Sequence, residues 1–306
     1  VVLDNGKNVY PEEIENYLLG IHYIQEVIVK SKKNEKGQEV ALIAEIFPNK
    51  EKLEELKIEN VKEQLYTADN FGKELNRTNL FKSILPTIIK DDMTNYEKAN
   101  ILYNYIKSQI NWNKSYGLFA DNGVKKALEQ RNGNAADINF ALISALRAAN
   151  IDANPVILST RENGMPALFR PTITDYNYVI AHIEIDSSEY LLDASDVHAP
   201  FGQLPLRCIN HKGNLLTKTA YKWVDLVSIL SSKVSYDFTG ELTEDGTLRG
   251  TLTSMRMGYA ATNKREEIKK FNSIEEYKEN AYEKNTNYKI NTHEMYNLDD
   301  PSQVLT

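Results

Sequence analysis

A single cysteine, Cys208, stands among 306 residues. It excludes an internal disulfide framework and any metal site built on several thiolates, and it leaves the redox compartment unassigned. Apolar residues never gather into a long run. Val40 to Ala44 and Tyr178 to Ala181 are among the longest, far short of the roughly 18 to 20 residues that a membrane span requires. Positive charge is also scarce, since 36 Lys plus Arg against 43 Asp plus Glu leave a net charge of -7. No basic footprint for a phosphate backbone results, so nucleic acid is not expected as a partner. His182 and His198 lack a metal-ligand partner at a usual spacing, so no metal and no other cofactor is expected. The chain opens on Val1 with no charged, apolar leader, and any targeting signal is expected outside these residues.

What is present falls into three blocks, and at roughly 150 residues per domain the length argues against a single one. Arginine is absent before Arg77, which points to a boundary near there. Residues 1–66 read as a small βαββα unit. Val1 to Leu3 is a short strand and Asn5, Gly6, Lys7 and Asn8 form a turn. Pro11 then opens a helix with Glu12 and Glu13 at its positive end, to stop at Gly20. Tyr23 to Lys30 and Glu39 to Phe47 are β-rich, and Lys50 to Leu65 has helical spacing. The polar stretch from Tyr66 to Asn79 is expected to be a cleavable linker.

Residues 67–230 carry two helix signatures. Thr94 with Glu97 has the form of a capping box ahead of a helix over 95–110, and Asn134 with Asp137 caps a helix starting at Ala135. Strands are expected at Asn154 to Thr160, Tyr178 to Ile185 and Glu189 to Ala194, then in short pieces to about Leu230. Residues 231–306 open with alternating runs, Val234 to Leu242 and Thr247 to Met255, around Glu244-Asp245-Gly246. Helices near Tyr259 to Phe271 and Ile274 to Asn285 follow, the second entered through a Ser273/Glu276 capping box. Asn297 to Thr306 has no stop signal, and this block is expected to be truncated.

The run Asn5-Gly6-Lys7-Asn8-Val9-Tyr10-Pro11-Glu12-Glu13-Ile14-Glu15, with Ile24 to Val29 and Ala41 to Phe47, resembles the mobile C-terminal subdomain of adenylate-forming enzymes such as acyl-CoA synthetases. In that family the subdomain closes over a nucleotide-binding domain and contributes a late lysine. Neither that domain nor the lysine's motif occurs here. Read from its residues alone, Asn5 to Asn8 is a solvated hairpin turn.

A different likeness covers about residues 68–230. Gly133-Asn134-Ala135-Ala136-Asp137, Leu142 to Ala153, Asn177 to Ile180 and Tyr190 to Ala194 resemble the core helix and the two following strands of transglutaminase-like domains, which share the papain-type Cys-His-Asp constellation. The third block resembles the β-rich domain that follows this core in some large bacterial proteins. The resemblance implies an α+β fold, a papain-like core of helices packed on an antiparallel sheet. Ala135 then stands where the family has its Cys, Tyr178 where it has its His, and Asp193 where it has its Asp. A methyl group cannot attack an acyl carbon, and a phenol with a reference pKa near 10 is a poor base at neutral pH.

Other routes to catalysis are weak. Cys208 and His211 are three apart, and on a strand they would point to opposite faces, which leaves Cys208 a buried strand residue. Ser144 and Ser159 lack the context of a nucleophile elbow. Tyr103, Tyr105, Trp112 and Tyr116 read as core, with peptide or glycan binding as the alternative. The expectation is therefore a non-catalytic binding or scaffolding module whose ligand is an unknown protein, peptide or glycan. The alternatives are a fragment of an acyl-CoA synthetase with residues 1–66 as its lid, and a cysteine hydrolase using Cys208. The first resemblance implies a cytoplasmic setting and the second an exported one, so the chain is expected to be composite.

Overall fold

The computed structural model describes residues 10–33, 37, 39–166, 172–217, 221–228, 231–284 and 289–306. The strand expected at Val1 to Leu3 and the turn Asn5 to Asn8 lie outside them. The chain divides into two compact units, Val1–Leu65 with Pro166–Asp175, and Tyr66–Met165 with Tyr176–Thr306.

In the first unit, Pro11 stands at the start of helix α1 (Pro11–Leu19), with Glu12 and Glu13 in its first turn, where the exposed N–H groups favour negative charge. Strands β1 (Ile24–Lys33) and β2 (Glu39–Pro48) pair antiparallel. Val27 and Val29 are buried on the first of them. The Glu15 carboxylate accepts the Val29 N–H at 2.7 Å and ties α1 to β1. Helix α2 (Lys50–Thr67) follows, and the Asn49 side chain accepts the Lys52 N–H in its first turn at 3.2 Å.

The second unit begins with the stretch expected to be a linker, and here the expectation fails. Phe71 and Leu75 are fully buried, and the Phe71 ring meets Phe140 edge-on at 5.0 Å. The polar residues that suggested a solvated link are docked instead. Glu74 accepts the Val124 N–H at 2.7 Å and the Arg77 guanidinium at 2.6 Å. The Arg77 N–H donates to Ser144 Oγ at 3.1 Å, and the Ser144 hydroxyl donates to the Glu74 carbonyl at 2.9 Å.

After the short helix α3 (Leu85–Ile88) comes α4 (Asn95–Gln109), opened by the complete Thr94/Glu97 capping box and burying Ala99, Leu102, Tyr103 and Ile106. Strand β3 (Asn111–Trp112) runs parallel to β4 (Asn132–Gly133), and α5 (Val124–Gln130) lies between them in sequence. Helix α6 (Ala135–Ala148) is buried without interruption from Ala135 to Leu146. Five strands complete the core: β5 (Ala153–Leu158), β6 (Tyr178–Ile185), β7 (Ser188–Leu192), β8 (Lys212–Leu216) and β9 (Tyr221–Asp225). Their order is β7-β6-β5-β8-β9 and every pairing is antiparallel. Asp186 and Ser187, both at positive φ (50° and 63°), turn β6 into β7 in the tight form a two-residue hairpin favours.

The last stretch is a hairpin of β10 (Lys233–Leu242) and β11 (Leu248–Met257), then helices α7 (Tyr259–Ile268) and α8 (Ile274–Lys278). The second expected helix is shorter than its spacing suggests, because the backbone passes into a wider turn over Glu279–Glu283. Its capping box is half formed. Ser273 Oγ accepts the Glu276 N–H at 3.1 Å, but the Glu276 carboxylate turns to the Asn272 N–H at 2.9 Å. Buried Arg265 donates to the carbonyls of Asn297, Asp300 and Gln303 at 3.0, 2.8 and 2.8 Å, which fixes the final segment to α7.

Removing the Glu74 side chain leaves the Val124 N–H buried and unpaired. Glu74→Ala should lower stability by about 1–3 kcal/mol, read as a shift of the urea midpoint. Limited proteolysis of the native chain should spare Tyr66 to Asn79, and cleavage there before the core unfolds would contradict the packing described.

Candidate functional site

The N-terminus of α6 is held by reciprocal bonds. The Asp137 N–H donates to Asn134 Oδ1 at 2.8 Å and the Asn134 N–H returns to Asp137 Oδ2 at 3.0 Å. Asp137 also accepts the Gly123 N–H at 2.8 Å. Burial pushes its carboxyl above the ordinary range, opposed by these N–H groups. Gly133 is required just before the cap, because a Cβ there would lie 2.8 Å from Asp137 Cβ. Ala135 is thereby placed as the first helical residue, fully buried, in one apolar cluster with Tyr178, Ile180, Leu204 and Cys208. Its N–H donates to the Ser115 carbonyl at 3.2 Å.

Tyr178 begins β6 and Asp193 follows the end of β7, so the antiparallel pairing sets them side by side. The Tyr178 hydroxyl donates to Asp193 Oδ2 at 2.8 Å and lies 2.9 Å from Ser195 Oγ. Asp193 is fully buried. Its second oxygen accepts Asn139 Nδ2 at 2.9 Å and the Ser195 N–H at 3.0 Å. Asn139, on α6, also donates to the Val179 carbonyl at 3.0 Å and accepts the Ala194 N–H at 2.9 Å. Every polar atom of its amide is used.

Arg207 completes the arrangement. Its Nε donates to the Tyr178 hydroxyl at 3.1 Å, and its Nη2 donates to Asp193 at 3.2 Å and to Ser195 Oγ at 2.6 Å. Burial works to push the Asp193 carboxyl up, but the Arg207 charge and the hydrogen bonds from Asn139 and Ser195 outweigh it and hold the pKa below the usual range. Burial, followed by the Asp193 charge, pushes the Tyr178 phenol well up. The hydroxyl therefore stays protonated.

Two expectations need correction here. Cys208 is buried, but in the short turn Leu206–Cys208 rather than on a strand. Its thiol faces Asp193 Oδ2 at 3.7 Å, and burial and that carboxylate push it well above the ordinary thiol range. Trp112 and Tyr116 are not fully buried in the core, although Tyr116 packs against the apolar cluster of Ala135 and Tyr178. They are half-buried and stacked, with centroids 5.9 Å apart and planes 9° from parallel. Tyr116 meets the Tyr178 ring edge-on at 5.5 Å, and the Arg207 guanidinium lies 4.3 Å from the Trp112 ring centre. Tyr103 is buried as expected, its hydroxyl donating to the carbonyls of Asp193 and Ala199 at 3.2 Å each. Arg207 was not singled out in the sequence, since nothing local distinguishes an Arg beside a Pro-Leu loop.

Among the described residues no group of three or more His, Cys, Asp or Glu side chains could hold a metal ion. None of their helices is long and apolar enough to cross a membrane. A cleft of about 180 Å³ opens beside Arg207, lined also by Asp196, Gln203, Tyr259, Asn263 and Glu266.

Residues 82–199 match the family model described as the Transglutaminase-like superfamily. That stretch takes in Ala135, Tyr178 and Asp193 and ends ahead of Arg207. The α+β, papain-like arrangement of helices on an antiparallel sheet is the fold of this part of the chain. No curated protein matches. Among solved structures, a candidate protease from Parabacteroides distasonis ATCC 8503 is 15% identical with a TM-score of 0.40, over 65% of this chain and 35% of that one. A candidate cysteine protease from Cytophaga hutchinsonii is 11% identical with a TM-score of 0.33, over 76% of this chain and 83% of its own. The chain thus spans about a third of the first neighbour's length.

The buried ion pair gives a pH signature. Asp193 titrates lower folded than unfolded, so its stabilisation is complete above the unfolded carboxylate pKa of about 3.9 and is lost as pH falls through the folded value. Arg207→Ala should cost about 3–5 kcal/mol at neutral pH by stranding a buried carboxylate. Burial then raises the Asp193 pKa above the unfolded value, so this variant should regain stability relative to wild type as pH drops from 7 toward 5, measured by chemical denaturation.

Proposed function

We propose that residues 67–230 form a non-catalytic transglutaminase-like module that binds a protein, peptide or glycan partner or scaffolds its neighbours. In this reading Ala135, Tyr178 and Asp193 occupy the positions at which acyl-transferring members carry Cys, His and Asp. The observation that carries it is the closed network of Tyr178, Asp193, Ser195 and Arg207. Acyl transfer needs an acidified thiol with a base at hand to take its proton. The first residue of α6 offers a methyl group, the residue beside Asp193 is a protonated phenol, and the acid is already committed to a guanidinium. Cys208 supplies no substitute, since its buried thiol is held protonated. The polar cleft beside Arg207 supports a binding role.

Residues 1–66 keep their proposed reading as a lid-like subdomain, which the order α1-β1-β2-α2 supports. Without a nucleotide-binding domain, the chain should show no exchange of pyrophosphate into ATP with carboxylic acids.

The reading is tested by rebuilding the site. Ala135→Cys with Tyr178→His should place a thiol and an imidazole over Asp193. The new thiol should then titrate below the free value of about 8.5, toward the roughly 3.5 to 7.5 of thiols paired with His or set at a helix N-terminus. Ala135→Cys alone should give only the smaller helix-end part of that shift. Iodoacetamide labelling against pH, located by peptide mass, reads both. The unmodified chain should release no ammonia from a glutaminyl peptide with a primary amine, and should cleave no peptide. Turnover in either assay, or a double variant whose thiol titrates like free cysteine, would refute the assignment.

A further inference from the structure

A second cleft lies in the same unit, built from none of the residues of the Tyr178 network. Its volume is about 280 Å³, and Asp152, Asn154, His182, Glu184, Leu215, Thr217 and Lys222 line it. Asn154 on β5 stands directly opposite His182 on β6, so the register of the sheet sets these polar side chains together. Nothing in the acyl-transfer geometry uses them.

His182 is the anomaly. Its side chain is only 7% exposed, yet among the described residues neither Nδ1 nor Nε2 has a hydrogen-bond partner. Nε2 lies 3.7 Å from Glu189 Oε1, beyond hydrogen-bond reach, and that oxygen is bonded to Lys222. Burial lowers the His182 pKa below the ordinary value, so at neutral pH the ring is uncharged and carries one donor and one acceptor. Leaving both unpaired in so buried a ring works against folding. An imidazole kept under that penalty at a cleft points to something that enters and pairs with it.

The lining decides the chemistry. A metal ion is not served, since the described residues hold no adequate ligand group. An anion would face Asp152 and Glu184, with Lys222 as the one lining cation among the described residues. An ammonium would suit the two carboxylates, but it only donates and leaves the imidazole N–H unpaired. A hydroxyl both donates and accepts, and so meets either ring nitrogen in either tautomer. Asp152 and Glu184 can accept from further hydroxyls, Lys222 can donate, and Leu215 offers an apolar wall to a C–H face. We propose that the His182 cleft binds one neutral polyhydroxylated ring of pyranose size.

The test uses the full chain with methyl α-glucopyranoside, methyl α-galactopyranoside and methyl α-mannopyranoside as probes, and spermidine and inorganic phosphate as counter-probes. Isothermal titration and the His182 ring nitrogen shifts are the readouts. At least one glycoside should bind saturably, with a dissociation constant in about the millimolar range, and should move the His182 resonances. His182→Leu should abolish that binding while its thermal midpoint stays at or above wild type, because an unpaired buried polar group is removed. A purely structural histidine would instead lose stability. Should His182→Leu not fold, His182→Gln keeps a donor and an acceptor and must fold and bind. Silence from every glycoside, a response to spermidine or phosphate in their place, or a destabilised His182→Leu that still binds would each overturn the proposal.

Discussion

A carboxylate with no solvent exposure must be compensated from within the protein, and in the larger unit, besides Asp137 at the start of α6, Asp193 is such a carboxylate. Its oxygens are met by Tyr178, Arg207, Asn139 and the Ser195 N–H, and its own carbonyl accepts the Tyr103 hydroxyl. These partners come from α4, α6, β6 and the turn before β8, so one acid fixes the mutual placement of most of the core. The energy of such a pair lies in the arrangement. Removing one partner strands a charge, whereas replacing the whole set by apolar side chains of similar volume can be neutral. The network therefore specifies a geometry more than it adds stability.

The same pair determines what the neighbouring groups can do. A charge already neutralised by Arg207 has little left with which to orient and stabilise an imidazolium, and low polarity around it favours the protonated forms of Tyr178 and Cys208. Arg207 itself spans two environments, its edge in the buried network and its face against Trp112. One side chain thus links the Trp112–Tyr116 stack to Asp193.

Local chemistry was readable in the sequence and distant chemistry was not. The Thr94/Glu97 and Asn134/Asp137 boxes each lie within one helical turn, and both form as read. The juxtaposition of Tyr178 and Asp193 was reachable because adjacent antiparallel strands carry them. Arg207 enters from a turn after β7 with no periodic signal. Cys208 was assigned to a strand because short apolar runs do not distinguish a strand from a buried turn. The stretch after Tyr66 misled for a different reason. Glu74, Asn76 and Arg77 look like a solvated link, yet their polar atoms find partners such as the Val124 N–H and the Ser144 hydroxyl far along the chain, and burial follows pairing rather than polarity.

The start of α6 shows how a helix end is held with an alanine at its first position. The first turn of a helix leaves its N–H groups without intrahelical partners, and a catalytic thiolate is one way of using them. Here the Asp137 N–H is satisfied by the Asn134 side chain and the Ala135 N–H by the Ser115 carbonyl. A methyl group at the first position therefore leaves neither of these donors orphaned, and it packs in an apolar cluster with Tyr178 and Cys208. The cap, not the side chain it presents, holds the helix end in place. The placement of this helix end therefore depends on Gly133, Asn134 and Asp137 more than on the side chain at Ala135.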